Sequence, residues 1–259
     1  MALIVIVICL LVQRVLMWEV NKPHLAFFIK YTAWLEMLCN QWRIWQGLGG
    51  VFFVFASIAA LYVMVIGVLG AIFGVVFLFL WHLCVLWFYL DAKPLVFESV
   101  HPIPLNELFM NRYHAIFAVL FWYLVLGPLG VIFYCESRRL EFHLKQEQKS
   151  DVYFSEEFLQ KLMLVRSMMD WVPVRLLGLT YALIGQFRPA FTFWCSHFAG
   201  LQSEPLLVVD YGMIALNWDP KLVLSRSEQH MMEMRGLTNR ALIVWLVVIA
   251  IFTLGQFMS

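Results

Sequence analysis

The chain has 259 residues, of which 63% are apolar and 14% are charged, with a net charge of +1. Soluble domains are about half apolar and about a quarter charged, so this composition excludes an ordinary soluble protein and indicates an integral membrane protein. A net charge of +1 offers no basic patch, so nucleic acid is not expected as a partner. We predict an all-α, polytopic helical membrane protein with amphipathic interfacial helices and the lipid bilayer as its surroundings.

Cysteine and histidine are present, but not at the spacings that metal sites use. The five cysteines form no CxxC pair, and the seven histidines form no HxxxH or HExxH pattern. We therefore predict neither a disulfide framework nor a metal site. No nucleotide or cofactor motif is found either, so the sequence leaves any cofactor undefined.

The N-terminal segment, residues 1–17, is apolar but has no basic n-region and no small-x-small cleavage site, so it is not a cleaved signal peptide. Two interpretations remain open for it. It is either a signal anchor whose Arg14 reaches the interface, or a helix buried against the others. Residues 18–46 combine tryptophans with charges of both signs, which is typical of helices at the headgroup level.

A charge-free stretch follows from residue 48 to residue 90, more than twice the length of one membrane helix. It predicts two spans, 48–67 and 70–90, with a turn between Gly67 and Gly74. Residues 91–114 contain three prolines and several charges, and are predicted to form a polar loop.

The third predicted span covers residues 115–135, with Gly127 and Pro128 near its middle. Because Pro128 lacks an amide hydrogen, the carbonyl of Leu124 loses its helical partner and requires protein or water nearby. A kink between packed helices and an interruption that marks a site, as in transporters, both remain open.

The polar segment 136–170 ends in a predicted amphipathic helix. Ser155 suits its N-cap, and Glu156 and Glu157 suit its first turn. Its apolar face is formed by Phe154, Phe158, Leu162, Val165 and Met169.

An embedded helix is predicted over residues 171–187, with Asp170 as its N-cap and Pro173 as its third residue. Arg175 lies one turn inside, and its side chain is predicted to lean back toward Asp170. The two residues form our candidate polar site. They either anchor the helix end or bind a ligand, because ionisable residues at membrane depth are often functional.

Small residues at 178, 182 and 185 give this helix one nearly smooth face. Gly178, Ala182 and Gly185 therefore predict a docking surface for another helix, which allows a homo-oligomer. The rest of the chain is predicted to be a polar, largely helical region, 188–238, with a turn at 217–220, and a last span, 239–258.

Two stretches carry a family resemblance: VLFWYLVLGPLGVIFY (119–134) and MDWVPVRLLGLTYALIGQF (169–187). They resemble the paired signature of the AmpE family, inner-membrane proteins that accompany the AmpD amidase in controlling inducible β-lactamase of Gram-negative bacteria. The family in turn is similar to the CobD/CbiB cobinamide synthases, membrane enzymes that form an amide bond. The motif residues here are Trp122, Gly127, Pro128, Trp171 and Pro173.

The chain departs from the synthase pattern on both sides of the first stretch. NELFMNRYHAIFAV stands where the synthases have an acidic and amide-bearing run, and CESRRLEFHLKQ stands where they have a Thr-Leu-Asp element. The resemblance thus implies a multi-pass inner-membrane modulator of β-lactamase induction, a process tied to antibiotic resistance, rather than an enzyme. Its implied partner is a small anionic ligand or a cell-wall recycling component. The alternatives are an amide-forming ligase or transferase and a transporter subunit.

Overall fold

The computed structural model describes residues 2–16, 30–32, 34–35, 48–91, 105–147, 156–200, 204–218 and 228–258. Over these ranges the chain is helical apart from turns and contains no strand, which confirms the all-α class. The chain divides into two compact units. Unit 1 comprises Met1–Met17, Leu90–Phe121 and Met169–Ser259, and unit 2 comprises Trp18–Tyr89 and Trp122–Met168.

The helices follow the apolar runs of the sequence. In chain order they are α1 Ala2–Leu16, α2 Leu48–Tyr89, α3 Leu105–Arg112, a π-helical turn Tyr113–Phe117, α4 Ala118–Leu126, α5 Pro128–Glu147, α6 Glu156–Ile184, α7 Phe187–His197, α8 Glu204–Ala215 and α9 Glu228–Met258. Three stretches of the described chain are long and apolar enough to cross a bilayer: Gly49–Tyr89, Leu105–Leu126 and Gln229–Gly255.

Helix α2, in unit 2, is a hairpin that reverses at Gly74. This glycine has φ 69° and ψ −159°, which is not helical. The rings of Tyr62 and Trp81 lie 6.4 Å apart, although 19 residues of straight helix would separate them by about 28 Å. The turn predicted between Gly67 and Gly74 is therefore present, at its C-terminal limit.

Substitution of Gly74 tests this reversal against a matched position. At φ 69° and ψ −159° only glycine is unstrained, so Gly74→Ala should destabilise unit 2 by about 1–3 kcal/mol. Gly67→Ala is the control, because open space surrounds both glycines and only the backbone differs. Thermal unfolding in detergent measures the difference, and equal melting temperatures for the two variants would contradict the hairpin.

A second sharp turn, also in unit 2, separates α4 from α5. Gly127 has φ 65°. A Cβ atom added at Gly130 would lie 2.5 Å from the carbonyl oxygen of Trp122, while eight residues of straight helix span about 12 Å. The interruption predicted at Gly127 and Pro128 is thus confirmed, but it is a turn between two helices, and residues 115–135 do not form one straight helix.

The polar run that follows this turn continues the helix instead of forming a loop. Helix α5 extends to Glu147 and buries Leu140 and Leu144 in an apolar cluster of unit 2. Phe158 and Leu162 of α6 join the same cluster, which confirms the apolar face predicted for that helix. The cluster also contains Val51 and Val54 of α2, Leu159 of α6, and Leu35.

In unit 1 the small-residue face of α6 packs against α8. A Cβ atom at Gly178 would lie 2.5 Å from the ring of Tyr211, and one at Gly185 would lie 2.5 Å from the carbonyl oxygen of Ala215. Ala182 is fully buried. The helix that occupies this face belongs to the same chain, so the face is not available to a second copy.

Two helix starts differ from the sequence prediction. Helix α6 runs unbroken from Glu156 to Ile184, so Asp170 is an interior residue and not an N-cap, and Pro173 lies inside the helix. Helix α3 begins at Leu105, within the segment predicted to be a loop. The predictions for Arg14, Phe154 and Ser155, and for most of residues 18–46, lie outside what the structure describes.

Candidate functional site

Asp170 is buried and hydrogen-bonded to a tyrosine of another helix. Its side chain is 2% exposed, and its Oδ1 accepts a 2.6 Å hydrogen bond from the Tyr113 hydroxyl. The same hydroxyl lies 3.5 Å from the backbone oxygen of Asp170. Tyr113 opens the π-helical turn and is itself fully buried. A hydroxyl donating to a carboxylate makes a short, charge-assisted bond, so this contact fixes α6 to the π-helical turn.

Arg175, also 2% exposed, holds the C-terminal end of α7. Its Nε donates to the carbonyl of Phe198 at 2.9 Å, and its Nη2 donates to the carbonyls of His197, at 3.4 Å, and Gly200. The last carbonyls of a helix have no partner within it, and a guanidinium that binds them also complements the helix dipole. Arg175 therefore caps α7 from α6.

The aromatic surroundings of Arg175 keep its guanidinium in place. It lies 4.6 Å above the ring of Trp171 and donates from Nη1 to the Trp171 carbonyl at 3.2 Å. Trp194 of α7 donates from its indole nitrogen to the Arg175 carbonyl at 2.8 Å. Cation–π contacts strengthen when they are desolvated, as this one is. The N–H groups of the guanidinium thus couple α6 to the end of α7, while one of its faces packs on Trp171 of the same helix.

Two helix irregularities occur where these side chains meet in unit 1. The chain is π-helical at Tyr113–Phe117, and Pro173 interrupts the hydrogen bonding of α6 by leaving the Met169 carbonyl without its amide partner. π-Helical turns are frequent at functional sites, and proline sites bend helices. Trp171 and Arg175 lie two residues from this proline, and Asp170 lies three residues from it.

The structure brings some of the predicted site residues together and leaves others apart. Asp170, Trp171, Pro173 and Arg175 share one turn and a half of α6 in unit 1, where Gly178, Ala182 and Gly185 follow them. Trp122, Gly127 and Pro128 form the α4–α5 turn in unit 2. Asp170 accepts a hydrogen bond from Tyr113, and Arg175 donates to the carbonyls of residues 171, 197, 198 and 200. The pairing predicted between the two side chains stays a prediction.

Sequence reasoning missed Tyr113 and the adjacent buried His114. The sequence feature that could have indicated them is a pair of polar aromatic residues, tyrosine and histidine, at the start of an apolar run. It also missed a buried polar cluster of unit 2, in which Glu136 Oε1 accepts from the Tyr89 hydroxyl at 2.6 Å and from Arg139 Nη1 at 2.7 Å. Burial raises the pKa of Glu136, while the bond from Tyr89 and the charge of Arg139 act to lower it.

Neither arrangement suits a metal ion. Among the residues that the structure describes, no group of three or more histidine, cysteine, aspartate or glutamate side chains could hold one. The chemistry available at Asp170 and Arg175 is hydrogen bonding and charge.

These features define a helical membrane protein with a buried polar site beside two irregular helices. The profile of the family described as "Regulatory signalling modulator protein AmpE" matches residues 103–257, which include α3 to α8 and most of α9. The chain belongs to the AmpE family. The resemblance of its two signature stretches is thereby confirmed.

Curated relatives of a second kind match a shorter part of the chain. The "Cobalamin biosynthesis protein CobD" of Stutzerimonas stutzeri (strain A1501) is 31% identical over 104 residues, 40% of this chain and 33% of that protein. The protein of the same name from Chromobacterium violaceum is 27% identical over 104 residues, 40% of this chain and 32% of that protein. The chain thus matches about a third of the length of these relatives. No solved structure matches.

Proposed function

We propose that this member of the AmpE family acts in the bacterial inner membrane as a multi-pass modulator of β-lactamase induction and cell-wall stress signalling. The observation that carries the proposal is the family match over residues 103–257. The modulator acts by binding a small anionic ligand or a cell-wall recycling component. Its polar site is the region of Asp170, Trp171 and Arg175.

The contacts of Arg175 suggest how binding at this site would be transmitted. The guanidinium holds the carbonyls of residues 197, 198 and 200, so an anion that competes for it would release the end of α7. Asp170 holds the π-helical turn through Tyr113 in the same way. A ligand at either side chain therefore changes the packing of a neighbouring helix, which is what a signalling protein requires.

The alternative function is a membrane-embedded amide-forming ligase or transferase, favoured by the similarity to the two CobD proteins. That similarity covers 40% of the chain and about a third of each relative, which is less than the family match. No contact or similarity described above favours a transporter subunit. We therefore retain the ligase as the competing hypothesis.

Deletion of the gene tests the two functions against each other. We expect the deletion strain to show altered inducibility of its β-lactamase, or an altered pool of recycled wall fragments, and to synthesise corrinoids normally. The control is the same strain carrying the gene on a plasmid, which should restore the wild-type response. A deletion strain that induces normally but requires added cobalamin would reject the modulator and support the ligase.

Reporter fusions test the proposed membrane topology around α4 and α5. A continuous span over 115–135 would place residues 100 and 150 on opposite sides of the membrane. The helical stretch Leu105–Leu126 is long and apolar enough to cross, whereas only eight apolar residues, 128–135, follow the turn at Gly127 before Glu136, too few to cross back. We expect alkaline phosphatase and green fluorescent protein fusions at residues 100 and 150 to report opposite sides. If both fusions report the same side, the interrupted helix does not cross the membrane.

A further inference from the structure

A cleft in unit 1 lies away from Asp170 and Arg175. It has a volume of ≈760 Å³ and is formed where α6 and α8 both end against the N-terminal part of α9. Ligand sites commonly measure about 300–1,000 Å³. The polar or small residues that line it include Gln186, Ala215, Glu233, Gly236, Asn239 and Arg240.

The carboxylate at one end of the cleft is held by a turn that the sequence encodes. Asn217 follows α8 with φ 58°, and the amide of Trp218 donates to the Met213 carbonyl at 2.9 Å, which is a Schellman C-cap. The cap places the Trp218 indole so that its Nε1 donates to Glu233 Oε2 at 2.8 Å. Gln229 donates to the other oxygen, Oε1, at 3.0 Å. Glu233 is thus fixed in one position with acceptor capacity remaining on both oxygens.

The opposite end of the cleft carries a positive charge. Arg240 donates from Nε to the Gly236 carbonyl at 3.2 Å and from Nη1 to the Ile184 carbonyl at 3.4 Å. These two bonds orient the guanidinium, and in the described part of the chain none is recorded from its Nη2. Arg240 is exposed, as are the side-chain amides of Asn239 and Gln186 beside it. A fork of this kind suits a carboxylate.

The spacing of Glu233 and Arg240 along α9 indicates the length of a ligand that contacts both. The two residues are seven positions apart, so they lie on one face and their Cα atoms are about 10 Å apart along the axis. Gly236, between them, exposes bare helix backbone, and a Cβ atom added there would meet nothing within 4 Å. An extended tripeptide spans about 10 Å between its ends.

We propose that this cleft binds a short zwitterionic peptide of about three residues, with its ammonium group at Glu233 and its carboxylate at Arg240. Gly236 leaves room for the peptide backbone. The proposal concerns a second site, so its failure would leave the Asp170 and Arg175 proposal standing.

The test is a binding titration of the purified full-length protein in lipid nanodiscs. Calorimetry is performed with a panel of Ala-Xaa-Ala tripeptides up to 10 mM, with the N-acetylated and C-amidated forms of the tightest binder, and with the matching dipeptide and hexapeptide. We expect the free tripeptide to bind and each blocked form to bind at least tenfold more weakly, the size of one lost charge-assisted hydrogen bond. The shorter and longer peptides should also bind more weakly.

Three variants assign the binding to the cleft. The Arg240→Gln variant should bind the free tripeptide and its C-amidated form equally. The Glu233→Gln variant should bind the free tripeptide and its N-acetylated form equally. Gly236→Leu should abolish binding by filling the cleft, while Gly255→Leu, on the same helix with equally open surroundings, should bind like the wild type. No binding by any tripeptide, or unchanged binding by Gly236→Leu with the wild-type melting temperature, would overturn the proposal.

Discussion

A plasmid copy of the gene that carries Arg175→Lys should fail to restore the β-lactamase response of the deletion strain. The variant protein should still insert into the membrane at normal abundance. Arginine reaches the carbonyls of Trp171, Phe198 and Gly200 with a planar fork and lies on an indole ring. A lysine ammonium keeps the charge but cannot supply donors in these directions. The carbonyls left without partners cost about 1–3 kcal/mol each, enough to release the end of α7.

The controls separate a local effect from general loss of charge. Arg188→Lys changes an exposed arginine of α7 in the same way and should be silent. Asp170→Asn keeps an acceptor for the Tyr113 hydroxyl and should lose less than Tyr113→Phe, which removes the donor. Complementation and membrane abundance are measured together. Full activity in the Arg175→Lys, Asp170→Asn double variant would return both residues to a structural role.

The second large effect is expected from Gly178→Ala, a change of one methyl group. The added Cβ atom would lie 2.5 Å from the ring of Tyr211, which is 1% exposed and packs edge-on against Phe193 at 5.5 Å. Because the Tyr211 ring is buried, we expect a loss of about 1–3 kcal/mol in the free energy of unfolding. Gly255→Ala, which meets nothing within 4 Å, should be neutral or slightly stabilising.

Thermal unfolding in detergent, followed by tryptophan fluorescence, compares the two variants. Removal of the obstructing ring should restore the lost stability in part, so Gly178→Ala combined with Tyr211→Leu should unfold at a higher temperature than expected from the sum of the two changes. If Gly178→Ala unfolds at the wild-type temperature, α6 and α8 do not approach as closely at Gly178 and Tyr211 as the structure indicates.

Local sequence patterns predicted the features that depend on local chemistry. The charge-free run from residue 48 to residue 90 was too long for one span, and glycine was the residue able to reverse it. Gly127-Pro128 predicted an interruption because proline removes an amide hydrogen wherever it is placed. The small residues 178, 182 and 185 predicted a close helix contact, although they could not indicate that the partner was α8 of the same chain.

The candidate site was predicted less completely, because its partners are distant in sequence. An aspartate three residues before a proline is typical of a helix start, and this led to the incorrect N-cap at Asp170. The helix continues there because the buried carboxylate receives a hydrogen bond from Tyr113, 57 residues earlier in the chain. The carbonyls held by Arg175 lie 22 to 25 residues later. The pattern of apolar and polar residues around Asp170 and Arg175 gives no information about such distant contacts.

The π-helical turn at Tyr113–Phe117 has a consequence for the register of the helix that contains it. A π-helical turn holds one residue more than an α-helical turn, so α4 is rotated by about 100° relative to a continuous α-helix that began at Leu105. At the two ends of this turn, Tyr113 faces Asp170 and Phe117 packs edge-on against Trp245 of α9 at 5.4 Å. The extra residue therefore decides which residues of α4 share a face with those of α3, and its removal would turn every side chain after Phe117 by one residue position.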